Sequence, residues 1–358
     1  MHLRLLISIL LLAGSWVVAQ DAPEAGRSRY DTRYSVAAID DATFYGNLRA
    51  PLPTVLNQVL LEPAFGIRER DRWNLSASLI GLTTTYSDTN TRLHVREIYG
   101  GLSAGDFDFI AGRKLVLWGT GYAFSAAGVL DPSKIATNPT DRLNVNEGRD
   151  MVKADWVHGK HAISVAWSTA ALAPAAASLH DTTAFRYNVL VRGFDTSLIA
   201  GHDRGGDSFG AMTFTRVVGQ AWEVHGEAVW REQAAVLLGA KYTVSGVTCI
   251  AEFYTPPNIP LYRSVSLSPL AGRQHYGFLD VGKARLRERA GWKEWSVSGA
   301  VVANLDDRST TGVVDVGRWF GNHFSSYVHL EVPSGSKTSE YGSAPYSAAA
   351  SVGIRFQL

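Results

Sequence analysis

Residues 91–119 read TRLHVREIYGGLSAGDFDFIAGRKLVLWG, followed by TGYAFSAAGVLDPSKIATNPTDRLNVNE at 120–147 and GRDMVKADWVHG at 148–159. In the first run Phe107, Phe109 and Ala111 alternate with Asp106, Asp108, Ile110 and Gly112, the two-residue period of a strand. A short turn, Ala104-Gly105-Asp106, joins two such arms. The segment Thr120–Glu147 is far longer than an ordinary connection, and structureless stretches of that length usually have a task. A short turn, then a long loop, then another short turn is the rhythm of an antiparallel barrel.

Working outward, the same alternation recurs. Trp73–Tyr86 reads as a strand, closed by the loop Ser87-Asp88-Thr89-Asn90. In Ala221–Arg231, Trp222, Val224, Gly226, Ala228 and Trp230 oppose Glu223, His225, Glu227, Val229 and Arg231. Lys160–Ala170 and Ala184–Arg192 behave likewise, and further strands fit at 194–203, 206–217, 233–244, 246–255, 273–284, 292–304, 309–319, 322–332 and 346–358. No helical period persists beyond the first twenty residues. Toward the N-terminus the pattern fades: Gln58–Arg68 reads as a second strand and Ala42–Leu48 as a first.

The opening MHLRLLISILLLAGSWVVAQ has a basic start, an apolar stretch and a small-residue end at Val17-Val18-Ala19, the pattern of a cleaved secretory signal. Three regions are expected: a signal at 1–19, a periplasmic lead-in at 20–41, and one strand-built domain at 42–358. Beyond the signal no apolar run reaches the roughly 20 residues that a membrane helix needs. Closed barrels satisfy every backbone group in lipid by another route.

Arg4 is the only Lys, Arg, Asp or Glu of the leader, so 33 basic residues remain against 33 acidic ones. That balance gives no sign of nucleic-acid binding. Cys249 stands alone, which excludes an intrachain disulfide, and reads as a small apolar filler within GVTCIAEFYT.

Alternation by itself fits a soluble sandwich too. Three features favour a membrane. The strands run near the roughly 9 to 11 residues of a tilted crossing, against about 5 to 6 in ordinary sheets. Trp73, Trp156, Trp222, Trp230, Trp292, Trp295 and Trp319 fall near strand ends, where interfacial girdles place aromatics. Tight turns near Gly159, Gly193, Gly219, Gly246 and Gly321 alternate with long connections at 119–147, 171–182, 256–272 and 333–345. The expected fold is all-β: a transmembrane antiparallel up-and-down barrel of about 18 strands, or 16 if the first two do not form. The last strand, YSAAASVGIRFQL, places Ala350, Val352, Ile354, Phe356 and Leu358 on one face, similar to the signal read by outer-membrane assembly machinery.

A charge on the lipid face near midplane costs about 2–4 kcal/mol, so polar faces point inward. That assigns Arg149, Lys153, Asp155, Arg186, Arg192, Glu223, His225, Glu227 and Arg231 to the lumen, with Lys241, Glu252, His329, Glu331 and Arg355. So many charges need water or near-complete pairing. A water-filled channel for small polar solutes is one reading; a narrow barrel packed with ion pairs is the other. The long loop adds Asp131, Lys134, Asp141, Arg142 and Glu147. Folded inward it constricts a pore; folded outward it is only an external loop.

Arg96-Glu97-Ile98-Tyr99, Gly112-Arg113-Lys114, Trp118-Gly119 and Asp131-Pro132 together resemble the porin-like outer-membrane barrels of Gram-negative bacteria related to alginate-export channels. The resemblance covers about 60 residues. Lys114 departs from the usual Gln, and Ser125-Ala126-Ala127 from the usual Asn/Pro stretch. It implies a channel in the outer membrane, with export of an acidic polysaccharide as an alternative. Arg113 breaks its strand's alternation, which predicts a β-bulge there. It is either a pore-lining contact or the partner of a structural ion pair with Glu97.

Nothing reads as catalytic. His161 has the parity opposite to Ser164 and Ser168. His225 between Glu223 and Glu227 forms a titratable face better suited to a lumen wall than to acid–base chemistry. His158 and His161 have no third ligand, and Gly119-Thr120-Gly121 is too short to cradle phosphate. No cofactor or metal is called for. The expected partners are outer-membrane lipid, the assembly machinery and small solutes, with oligomeric state open.

Overall fold

A computed structural model describes residues 30–48, 53–69, 72–86, 88–132, 134–138, 142–169, 181–204, 206–231, 233–256, 275–284 and 294–358. The signal at 1–19, Asp141, Trp292 and most of the connections 171–182 and 256–272 lie outside these residues.

Eighteen strands follow one another along the chain. They are β1 (Tyr30–Gly46), β2 (Val55–Glu69), β3 (Trp73–Thr85), β4 (Thr89–Ala104), β5 (Phe107–Lys114), β6 (Arg149–His158), β7 (His161–Thr169), β8 (Thr182–Val191) and β9 (Phe194–Asp203). The second half comprises β10 (Ser208–Val218), β11 (Trp222–Trp230), β12 (Ala234–Val244), β13 (Val247–Thr255), β14 (Tyr276–Lys283), β15 (Trp295–Asn304), β16 (Ser309–Phe320), β17 (Phe324–Ser334) and β18 (Ala348–Gln357). Each strand pairs antiparallel with the next. β18 returns to β1, from Ala37 opposite Gln357 to Gly46 opposite Ala348, so the sheet closes on itself without an edge. Closure at this strand number leaves an interior wider than wall side chains can fill.

The alternation sorts as the sequence requires. On β11, Trp222 and Trp230 are exposed on the outer wall while His225 and Glu227 are buried inside. On the outer face Arg216 lies over Phe194, and Arg318 over Trp295 and Phe320. Both arginines sit near the tight-turn end, where a charged tip can reach water while its stem rests on aromatic rings.

Four expectations need correction. The wall begins at Tyr30, so residues 30–41 are strand and not lead-in. β1 pairs with β2 down to Tyr30 opposite Glu69, while β18 stops beside Val36. The low end of β1 thus projects past its C-terminal neighbour, and its polar, weakly patterned sequence suits that wet position. Thr89 and Asn90 belong to β4, leaving a shorter β3–β4 turn than Ser87–Asn90. The asymmetry of the two ends is weaker than expected: connections 86–88, 231–233 and 305–308 are short at the loop end, and 284–294 is long at the other. Arg192 faces no lumen; with Gly193 it forms the β8–β9 turn at φ 50° and 81°, the left-handed pair of a tight hairpin.

The break in β5 lies one residue before Arg113. Gly112 has φ 122°, and a Cβ there would fall 2.3 Å from the Ile98 carbonyl oxygen, so only glycine fits. This twist turns Arg113 into the interior. The register shift itself lies across on β4, where Arg96 is the extra residue opposite the Ser78/Leu79 step of β3.

Candidate functional site

The segment between β5 and β6 folds into the barrel and spans it. Both its ends are tied to β4: Leu115 N–H donates to Glu97 Oε1 at 2.9 Å, and Gly148 N–H to the Arg96 carbonyl at 2.8 Å. Beside this root, Arg113 forks onto Asp150 at 2.7 and 3.0 Å and reaches Glu147 at 3.0 Å. Glu147 is also 2.6 Å from His94 Nδ1. Arg113, read from the sequence as either a pore-lining contact or a partner of Glu97, is paired with Asp150 and Glu147. Arg113 is 7% exposed, closed in by its partners and out of reach of a passing solute.

The leading limb, residues 115–136, crosses to the far wall and is gripped there by two carboxylates. Glu227 Oε1 accepts the N–H groups of Thr120 and, at 2.7 Å, Gly121; Oε2 accepts those of Ala126 and Ala127 at 2.6 and 2.7 Å. Glu252 accepts from Tyr122, from Ala123 at 2.9 Å and from Phe124 at 3.2 Å, with His225 Nε2 3.0 Å away. Small residues make this convergence possible. A Cβ at Gly121 would sit 2.4 Å from the Phe124 carbonyl oxygen, and Ala126 and Ala127 keep the approach to Glu227 clear. Asp131 closes the limb on itself, accepting from Trp118 N–H at 2.6 Å and Gly119 N–H at 2.9 Å, while Lys134 donates to the Gly121 carbonyl. Burial raises the Asp131 carboxyl above its ordinary value, against the lowering effect of those two N–H bonds.

Behind these bonds lies an apolar core. Trp118, Phe124, Val129, Leu130 and Ala136 are buried with wall residues that include Leu237, Tyr254, Tyr276 and Phe278. Phe124 stacks on Tyr254 at 5.0 Å. One side of the lumen is thus filled by the loop.

The described part of the return limb, residues 137–138 and 142–148, runs along the opposite wall. Arg142 pairs with Asp41 of β1 at 3.2 Å, Tyr327 donates to the same carboxylate at 2.6 Å, and Leu143 and Val145 pack on Ile39, Leu60 and Ile80. Arg96 donates to the Asn144 carbonyl at 2.5 Å and pairs with Glu62 at 2.9 Å. Beside this limb lies a cavity of about 320 Å³, lined by Arg96, Arg355, Glu62 and Asn144 among others.

The remaining candidate residues are mostly engaged. Lys114 lies 3.9 Å over the Tyr99 ring; Lys153 pairs with Asp155; Arg186 donates to Ser197 at 2.9 Å. Arg231 pairs with Asp203 at 2.7 Å over Phe209. Glu223 accepts from the Tyr122 hydroxyl at 2.8 Å, and that hydroxyl also accepts from Lys241. Arg149 stands half-buried at the base of β6. Ser164 donates to Asp155 and His161 contacts Tyr187, so the two do not meet. The described wall carries mostly paired charge and bridging hydroxyls, and open cavity lies beside the loop.

Sequence reasoning missed Asp41, hidden by the lead-in assignment, and Asp150, whose strand parity points outward until Gly112 twists the ladder. Asp41 carried a signal, since Ile39, Asp41 and Thr43 alternate with Asp40, Ala42 and Phe44.

Neither a family model nor a curated protein sequence matches the chain. Solved structures match its fold at low identity. Pseudomonas aeruginosa OccK5 (OpdH) aligns at TM-score 0.60 and 8% identity over 92% of this chain and 98% of that one. Pseudomonas aeruginosa OpdK with vanillate aligns at 0.61 and 7% over 92% and 98%. A mutant of the Rh. blastica porin aligns at 0.50 and 10% over 92% and 100%. The architecture is that of porin barrels.

Proposed function

We propose that this chain is an outer-membrane channel through which small polar or charged solutes diffuse past the loop 115–148. The observation that carries the reading is the loop crossing the interior from β11 and β13 to β1 and β2. A segment fixed at both walls gives a channel a fixed, narrowed passage beside paired charges. The porin folds above support it. An outer-membrane location, a cleaved signal at 1–19 and recognition of β18 by assembly machinery follow from the same reading, supported by the leader's composition and the Phe356 strand.

The relation to alginate-export channels rests on the 60-residue motif alone, and inward arginines that could draw an acidic polymer lend it little. Arg113 is closed onto Asp150 and Glu147, and Arg192 occupies a turn. Small solutes are therefore the favoured cargo.

The test is electrical. Refolded protein in planar bilayers should conduct, and removing residues 124–146 should raise single-channel conductance severalfold. No current from the full chain would reject the channel, and an unchanged conductance after deletion would reject this loop as its constriction.

A further inference from the structure

A second cavity, about 360 Å³, lies between the loop and the wall strands β13 and β14. That is the size of a small organic ligand's seat, near the lower end of ordinary pockets. Its lining is unusual for an aqueous pore. Leu117 and Ile135 of the loop are 66% and 60% exposed into it, and Ile250 and Phe278 supply the wall side. Large aliphatic side chains turned toward a water-filled passage cost free energy unless something apolar covers them. The loop also had an alternative: its other apolar residues, Trp118, Phe124 and Leu130, are all packed away.

One charged wall residue joins that lining. Asp280, inward-facing on β14, has among the described residues no hydrogen-bond donor and no cation within reach, and its Oδ1 is buried without a partner. Asp280 is part-buried, and Asp315 of β16 adds charge of the same sign. Lys134 borders the same cavity but turns its ammonium into the loop, donating to the Gly121 carbonyl. The wall therefore presents an apolar alcove with an unneutralised carboxylate. The other inward carboxylates on the described strands each accept from at least one donor, as Glu331 does from Thr311 and Tyr346, whereas Asp280 accepts from none among the described residues.

We propose that this alcove is a binding subsite for solutes that join an apolar or aromatic body to an ammonium group. The body lies between Leu117, Ile135, Ile250 and Phe278, and the ammonium meets Asp280. Binding here deepens the channel reading on which it rests: the loop then selects among solutes as well as narrowing the path. An ammonium supplies the donor that Asp280 lacks, and a carboxylate solute would meet repulsion from Asp280 and Asp315.

The experiment uses the full mature protein in detergent, with three probes of one shape: phenethylamine, phenethyl alcohol and phenylacetate. Titration calorimetry should rank them amine, alcohol, carboxylate, the amine roughly tenfold tighter than the alcohol, as a charge-assisted hydrogen bond gives. Asp280→Asn, which keeps the shape, should bring amine and alcohol within about twofold of each other. Ile135→Asp, on an exposed loop position, should weaken the alcohol as well. Heat-dependent gel mobility confirms that each variant is folded. Equal binding of amine and alcohol by the parent chain, an unchanged ratio in Asp280→Asn, or phenylacetate binding most tightly would each overturn the proposal. Conductance in potassium chloride separates the two readings. Current without amine preference removes the subsite alone; amine binding without current supports the subsite and removes the channel alone.

Discussion

The two limbs of the inward loop are held by different chemistry. On the leading limb the wall supplies side-chain carboxylates and the loop supplies backbone: Glu227 and Glu252 together collect seven N–H groups between Thr120 and Ala127. On the return limb the wall and the loop exchange side chains, Asp41 with Arg142 and His94 with Glu147, over a small apolar patch. The first arrangement fixes the path of the chain almost regardless of loop side chains, provided they are small. The second fixes individual residues and leaves the backbone between them less determined. A gripped backbone behaves as part of the wall, and a limb pinned at separate points can give way one point at a time.

Glu227→Ala should break the comparison hardest. Four loop N–H groups lose their acceptor, and at about 1–3 kcal/mol for each buried donor the loss is on the order of 4 kcal/mol even after water enters. The expected outcome is release of the leading limb, read as faster proteolytic cutting within 115–136 and larger, noisier single-channel currents. A variant that keeps quiet, parent-like currents would show that the apolar core alone seats the limb. Arg142→Met comes next. It leaves Asp41 wholly buried, still bonded to Tyr327 but without its cation, at a cost of about 3 kcal/mol. Proteolysis should then rise at 137–148 while the leading limb stays protected. Equal loss of protection in both limbs would mean that the loop moves as one body and the distinction drawn here is wrong.

A smaller effect should follow pH through Asp131. Its folded carboxyl titrates above its ordinary value because burial outweighs the two N–H bonds it accepts. For a raised acid the stabilising share is fully present below the unfolded value and is lost as pH rises through the folded one. The seated limb should therefore loosen slightly from acid to neutral pH, and Asp131→Asn should flatten that trend in the same proteolysis assay. His94→Ala should do least, under about 1 kcal/mol, because Glu147 keeps Arg113 and the pair is partly wetted. A large change in conductance from it would relocate the constriction to the loop's root.

The fold was legible because a barrel wall is a local code. Outer and inner neighbours differ at every second residue, and Trp222, His225, Glu227 and Trp230 announce their faces without any partner being known. The code failed where only one side of a strand is paired, as in Tyr30–Ser35, and where a single backbone twist at Gly112 reversed a face. The site was half legible. The length of 120–147 marked a segment with a role, and Glu227 was placed with Glu223 and His225 on the lumen wall. That Glu227 meets Ala126 and Ala127 depends on a fold-back across about 100 residues of chain, which no spacing encodes.

The amino-acid pattern by itself thus determined the architecture, the strand rhythm and the inward direction of charges such as Glu227 away from the strand ends, because each follows from the cost of placing a residue in lipid or in water. Only the tertiary structure decided which charges cancel, which carboxylates bind backbone instead of solute, and which one, Asp280, is left to face an open alcove. Those are outcomes of distance and burial among elements far apart in sequence, and pairing energy depends on both.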